Sequence, residues 1–253
     1  MSFDPAEPAP DHYFSAHPRS PSARRALRFL YRGEILTFAV DAGVFASRGL
    51  DPGTALLIEH LRVADGDSVL DLGCGWGAVG VAAGKSTPRG RVVLTDVNRR
   101  AARLARENLE RNHLTNGEVR VGAQFAPVGE ERFDLVATNP PFHVGRAAIL
   151  AILAEVPAHL TPRGRLLLVG KGSSGIRFYQ EWLAAHWSPG VAVVGRGSGY
   201  RVLEATAERG DGPALAEALM KGGSLGGPPN GRAERPATPR RRSAPRGKSR
   251  TGE

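Results

Sequence analysis

A chain of 253 residues with 41% hydrophobic side chains is long enough for one α/β domain with a full core. No stretch approaches the roughly 20 apolar residues of a membrane-spanning helix, and the start, MSFDPAEPAPDHYFSAHPRSP, lacks the basic-then-apolar pattern of an export signal. With a single cysteine, Cys74, an internal disulfide is excluded, and the expected setting is a reducing cytoplasm. The net charge of +9 is uneven: from Gly222 onward eight Arg or Lys stand against two Glu, so this tail carries +6 and the rest of the chain +3.

Five prolines before residue 22 argue against regular structure at the start. Short apolar runs then flank Arg32-Gly33 in RALRFLYRGEILTFAVDAGVF, which predicts a hairpin. Asp51-Pro52 opens a helix expected to reach about Leu61, with Pro52 suited to the first helical position. From there strands and helices alternate, the pattern of a mostly parallel sheet covered by helices. The expected strands are SVLDL, RVVLTD, EVRVGA, FDLVATN, GRLLLVG, VAVVG and YRVLEA.

The clearest helix runs from Asn98, a capping residue, to about Asn112, with Ala102, Leu104, Ala105 and Leu109 on one apolar stripe. Its other face holds Arg99, Arg100, Arg103, Arg106 and Arg111. A solvated face paired with Glu107 and Glu110 is favoured there over an RNA-binding surface. A last helix is expected from Pro213 to the glycines at 222 and 223. The chain thus divides into an irregular arm (1–26), a catalytic domain with its hairpin (27–222) and a disordered basic tail (223–253). The tail is rich in Gly, Pro, Ser and Arg, and reads either as a phosphate-attracting tether or as a solubilising extension.

Two segments carry chemistry. In Val69-Leu-Asp-Leu-Gly-Cys-Gly-Trp-Gly-Ala-Val-Gly80, glycines follow a strand and open a helix, so the backbone can turn tightly against a ligand. Gly75, Gly77 and Gly80 also satisfy a dinucleotide fingerprint. A dinucleotide, however, sets its pyrophosphate on the helix N-terminus, and Asp71 would repel one. Asp71 suits the cationic amino group of S-adenosylmethionine instead. Asp96, ending the next strand, can accept hydrogen bonds from ribose hydroxyls, or simply be a strand-end turn residue. Cys74, with no base near it in the motif, reads as a packed residue.

The second segment, Asn139-Pro140-Pro141-Phe142, follows the fourth main strand and precedes His143. In an open α/β sheet ligands sit beyond the carboxyl ends of the strands. Two prolines stiffen such a turn and leave their carbonyls as free acceptors, and the Asn139 oxygen adds another. Together they can hold both hydrogens of an amino group whose lone pair is delocalised and turn that lone pair toward a methyl carbon. Phe142 offers a face for a flipped base. His143 is placed either to take a proton or to pack.

These residues resemble the class I S-adenosylmethionine-dependent methyltransferases, and more narrowly the single-domain type of the RsmC-like small-subunit ribosomal RNA guanine-N2 methyltransferases. His12-Tyr-Phe-Ser15, Asp41-Ala-Gly-Val-Phe45, Leu50-Asp-Pro-Gly-Thr54 with Leu56-Leu57, and Gly199-Tyr-Arg-Val-Leu203 extend the likeness over residues 11 to 206. The resemblance implies a Rossmann-like, seven-stranded, mostly parallel sheet with its last strand antiparallel and helices on both faces. It implies S-adenosylmethionine at Thr54, Asp71, Gly73, Gly75, Asp96 and Asn139. The acceptor, with Pro140 and Asn139 acting on it, would lie at Pro141, Phe142 and His143. Where relatives carry an acidic residue at adenine, this chain has Gln124. The expected substrate is a guanine of ribosomal RNA or of the small ribosomal subunit, with no metal, no membrane and a monomeric enzyme. Three readings compete: transfer to a protein glutamine amide or a DNA adenine amine, a non-catalytic RNA-binding assembly factor, and a nicotinamide-linked oxidoreductase.

Overall fold

The computed structural model describes residues 20–47, 49–187 and 189–207. The expected Pro213 helix, the basic tail and the His12–Ser15 motif lie outside them. Strands β1 (Arg25–Tyr31) and β2 (Glu34–Val40) form the hairpin, paired from Arg25↔Val40 to Tyr31↔Glu34. Its two-residue turn puts both Arg32 (φ 48°) and Gly33 (φ 87°) in left-handed backbone, the geometry that matches strand twist in tight hairpins. Arg25 and Ala26, assigned to the irregular arm above, are already strand. The Asp41 carboxylate holds this entry by accepting from Ser22 Oγ and the Ala23 and Ala42 N–H groups.

Helix α1 (Pro52–Glu59) starts where Asp51 accepts from the Gly53 and Thr54 N–H groups. Then follow β3 (Ser68–Leu72), α2 (Ala78–Ser86), β4 (Arg91–Asp96), α3 (Arg99–Arg111), β5 (Gly117–Val121), β6 (Phe133–Thr138), α4 (Arg146–Glu155), β7 (Leu160–Lys171), α5 (Ile176–His186), β8 (Pro189–Gly197) and β9 (Tyr200–Ala207). All seven expected strands are present. They form one sheet in the order β5-β4-β3-β6-β7-β9-β8, parallel except that β9 runs antiparallel to both neighbours.

Alternation along the central strands sends side chains into two cores. Val69, Leu94, Leu135, Ala137, Leu167 and Val202 pack under α1, α2, α3 and the hairpin. Leu70, Val93, Val136, Leu166, Leu168 and Leu203 pack under α4 and α5. Truncating one of these buried leucines to alanine typically costs about 2–5 kcal/mol. The hairpin is tied to the first core by an unusual pairing. Asn108 and Asn112, one turn apart on α3, use their side-chain amides to bond both the N–H and the C=O of Ala39 and Thr37 respectively. They thereby satisfy an edge of β2 that would otherwise expose backbone groups.

Arg100, Arg106 and Arg111 of α3 are held by the chain itself. Arg111 pairs with Glu107 one turn away, and Arg24 reaches the same carboxylate. Arg106 donates to the Val119 carbonyl, and Arg100 to the carbonyls of Ser20 and Ala42. The expected pairing thus holds for Glu107, while Glu110 has no cation within 4.0 Å among the described residues.

Candidate active site

Strand order reverses between β3 and β6, and at such a point the loops leaving the two strands diverge and open a crevice. A cavity of about 500 Å³ lies there, walled by Gly73 and Gly75 after β3, Asp96 at the end of β4, Gly122 and Gln124 after β5, and Asn139 to His143 after β6. That volume is within the usual range for a small-molecule site. Beside it a recess of about 30 Å³ is lined by Thr54, Asp71, Cys74 and Trp76, and it shares Phe45, Gly73, Gly75 and Asn139 with the main cavity.

The glycine loop is held by the strand beside it: the Gly73 and Cys74 N–H groups both donate to the Thr95 carbonyl at 2.9 Å. Gly73 (φ 74°) and Gly75 (φ 57°) are left-handed, a backbone that a side chain would strain. Asp96 braces the loop, Oδ2 accepting from the Gly75 N–H and Oδ1 from the Asn98 N–H, both at 2.8 Å. Each oxygen retains a lone pair for a hydroxyl ligand. Asp71, 3% exposed, accepts from the Gly80 N–H at 2.8 Å. Burial raises the Asp71 carboxyl to about 7, with the Asp96 charge adding to the shift, and raises Asp96 to about 6. Cys74 is buried and its thiol is pushed well above the ordinary value, which suits packing rather than nucleophilic chemistry.

These features fit S-adenosylmethionine. A buried and a part-buried carboxylate, both costly to ionise alone, would be relieved by a cationic amino group and by ribose hydroxyls. Two of the buried polar atoms without a partner, Asp51 Oδ2 and Thr95 Oγ1, belong to residues of the same cavity wall. Gln124 also lines the cavity, exposed and in left-handed backbone (φ 49°).

The Asn-Pro-Pro-Phe turn is tighter than its sequence suggests. Pro141 (φ −76°, ψ 77°) sits in an inverse γ-turn, and the Phe142 N–H donates to the Pro140 carbonyl at 2.9 Å. The Pro141 carbonyl likewise accepts from the Val144 N–H. The proline carbonyls, expected above to be free, are therefore each engaged by one N–H and keep one lone pair. Asn139 Nδ2 donates to Thr54 Oγ1 at 3.1 Å, which leaves its carbonyl oxygen as the free end of the amide. Thr54 thus holds the Asn139 amide and lines the recess rather than the main cavity. Phe142 packs at 5.4 Å from the Tyr179 ring and over Gly170, where a Cβ would lie 2.6 Å from Phe142 Cζ. His143 is exposed on the cavity rim.

The cavity thus brings together Gly73, Gly75, Asp96, Gln124, Asn139, Pro140, Pro141, Phe142 and His143, and the recess adds Thr54 and Asp71. Phe45, Asp51, Lys171 and Tyr200 are among the wall residues not singled out in the sequence as site residues. Lys171 and Tyr200 are opposite one another in the β7–β9 register, and Gly53 leaves room for the Tyr200 ring. Only strand pairing brings them to the site. Among the described residues no cluster of metal-ligating side chains occurs, and no helix is long and apolar enough to cross a membrane.

Comparison with known proteins agrees with this geometry. The methyltransferase small domain family matches residues 35–204. "Uncharacterized protein YbxB" of Bacillus subtilis (strain 168) is 31% identical over 197 residues, covering 77% of this chain and 98% of its own. "Ribosomal RNA small subunit methyltransferase C" of Haemophilus influenzae (strain ATCC 51907 / DSM 11121 / KW20 / Rd) is 35% identical over 159 residues, 61% of this chain. The match spans 47% of that relative, so this chain corresponds to about half its length. Among solved structures, "T. Thermophilus 16S rRNA N2 G1207 methyltransferase (RsmC) in complex with AdoMet and Guanosine" superposes with a TM-score of 0.63 at 28% identity, covering 76% of this chain and 52% of that one. The chain belongs to the methyltransferase small domain family, with the fold of the class I S-adenosylmethionine-dependent methyltransferases.

Proposed function

We propose that this enzyme methylates the exocyclic N2 of a guanine in ribosomal RNA. The observation that carries this reading is the tether between Thr54 and Asn139, which presents the amide oxygen at the boundary of the two cavities. When bound, S-adenosylmethionine supplies an electrophilic methyl group on a sulfonium whose sulfur leaves as a neutral thioether. Asp71 would hold its amino group, Asp96 its ribose, and Thr54, Gly73, Gly75, Gln124 and Asn139 the surrounding contacts.

The remaining work belongs to the acceptor side and is mainly positioning. Asn139 Oδ1 and the free lone pair of the Pro140 carbonyl accept the two N2 hydrogens, so the nitrogen lone pair is presented to the methyl carbon. Phe142, fixed by Tyr179 and Gly170, supports the base with Pro141 on the cavity wall. As the N–C bond forms and the C–S bond breaks, one N2 proton leaves; His143, exposed at the rim, is placed to pass it to water. Relatives named as ribosomal RNA methyltransferases support RNA as the acceptor. Glutamine-amide and adenine-amine acceptors offer the same delocalised nitrogen and are the alternatives that substrate screening must separate.

The test is transfer of a radiolabelled methyl group from S-adenosylmethionine to unmodified ribosomal RNA and ribosomal subunits, followed by nucleoside mass spectrometry. N2-methylguanosine that disappears in Asn139→Ala is the expected result. Label appearing in protein or DNA instead would retain the chemistry and replace the substrate.

A further inference from the structure

On the acceptor side of the cavity the surface is basic in a way local folding energetics do not favour. Arg146 begins α4 and Arg177 lies in the first turn of α5, both exposed, where the helix dipole disfavours a cation. Arg196 and Arg201 face each other directly across β8 and β9, a like-charge pairing that weakens a sheet. Lys171 ends β7 at the cavity wall, its ammonium 5.8 Å from the Tyr200 ring centroid. None of these five cations has a carboxylate within 4.0 Å among the described residues. Of the nearby acids, Glu204 pairs with Arg165 and Glu155 lies beside His159, while Glu181, one turn from Arg177 on α5, pairs with no cation among the described residues.

The five are also contiguous with the acceptor pocket. Phe142 contacts Tyr179, Tyr179 contacts Phe178, and the Arg146 guanidinium lies over the Phe178 ring at 4.2 Å. Arg177 precedes Phe178 in α5 and, with Arg196, acts on Arg201; after its loss of solvation, their repulsion holds that guanidinium below its ordinary value. Arg201 is steered by Gln180 Oε1 at 3.0 Å, not by an anion of the chain. Arg201 and Arg196 face one another across β9 and β8 toward the sheet edge, while Lys171, opposite Tyr200, stands on the other face of the sheet at the strand end beside the cavity.

We propose that Arg146, Lys171, Arg177, Arg196 and Arg201 form a track for the phosphates of the RNA strand flanking the base in the pocket. The proposal takes RNA as the acceptor from the reading above and adds where its backbone runs. Interleaved aromatic and cationic side chains suit a single strand, whose charge requires cations and whose unstacked bases require flat faces. Placement beside the pocket also explains why these cations are left without carboxylates, which would compete with phosphate.

The test compares the full chain with Arg177→Gln/Arg196→Gln/Arg201→Gln and with the charge-preserving triple lysine variant. Binding of a fluorescein-labelled, unstructured oligoribonucleotide is followed by anisotropy across a salt series, with S-adenosylmethionine affinity measured by calorimetry. Loss of three phosphate contacts should reduce the slope of log K against log salt by about 2. The KM for ribosomal RNA should rise tenfold or more, while cofactor affinity stays unchanged and the lysine variant keeps the slope. If the parent methylates RNA and the glutamine variant shows the same slope and KM, the track is wrong while the proposed function stands. If the parent binds the oligonucleotide with a slope the variant loses but methylates only protein or DNA, the substrate reading falls and the surface remains. A parent that binds no RNA overturns both.

Discussion

The two halves of the sheet meet at one cavity but are built on opposite electrostatic terms. On the β3-β4-β5 side, Asp96 lines the cavity and the buried Asp71 the recess beside it, while several cations on the outer surface are paired, Arg24 and Arg111 with Glu107, and Arg91 and Arg120 with Glu131. On the β6-β7-β9-β8 side the cavity wall is aromatic and proline-rich, and its exposed cations stand apart from carboxylates among the described residues. The first arrangement suits a small ligand with an amino group and hydroxyls. The second suits a planar group attached to a polyanion. Two ligands of opposite charge can be sorted in this way before any contact is optimised.

The sharpest break of the comparison is Asn139→Ala, which removes the acceptor at the boundary. Methyl transfer should fall by roughly 10²–10³, the cost typical of a lost transition-state hydrogen-bonding group, with cofactor affinity nearly unchanged. Single-turnover rates together with calorimetry check this; activity equal to the parent would remove Asn139 from the chemistry. On the other half, Asp96→Ala should weaken S-adenosylmethionine binding by about 1.5–3 kcal/mol. Because Asp96 also holds the Gly75 and Asn98 N–H groups, Asp96→Asn is the companion that separates ligand contact from loop damage.

The carboxylate side should also be visible in pH. The folded protein holds the Asp71 and Asp96 protons up to about 7 and about 6, against an ordinary value of 3.8. The folded state therefore binds more protons between those limits, and the ligand-free protein loses stability as pH rises from about 4 to 7. The slope is at most about 1.4 kcal/mol per pH unit for each carboxylate. Thermal melts should show this decline, its flattening in Asp71→Asn, and a larger stabilisation by S-adenosylmethionine at pH 8 than at pH 5.5. A ligand-induced shift independent of pH would mean that neither carboxylate meets the cofactor. The smallest effect is expected for Thr54→Val, which removes the acceptor of Asn139 Nδ2. A net hydrogen bond of about 1 kcal/mol corresponds to a several-fold loss of kcat, restored by Thr54→Ser. An unchanged kcat in the valine variant would mean that Asn139 is held by other means.

Much of the fold was legible along the chain because its signals are short-range. Asn98 and Asp51 cap their helices as their side-chain chemistry dictates. The apolar stripe of α3 is buried, and each of the seven expected strands formed, with alternate residues of the central strands in different cores. The glycine loop and the Asn-Pro-Pro-Phe turn were legible as site segments because backbone permissiveness and rigidity are properties of residue type. Even the arginine face of α3 was readable, since Glu107 and Arg111 are one turn apart.

What the sequence could not supply are partnerships across distance. Thr54 and Asn139 lie 85 residues apart, and only the packing of α1 beside the end of β6 makes one the tether of the other. Asn108 and Asn112 look like ordinary helix residues until β2 is laid against them. The proline carbonyls look free until the turn closes on them. Arg201 and Arg196 become neighbours only through the pairing of β9 with β8. The sequence by itself determined the elements, the glycine loop and the Asn-Pro-Pro-Phe turn, because local sterics and hydrogen bonding act within a few residues. The tertiary structure alone decided which side chains share a wall, because strand order and register set those distances.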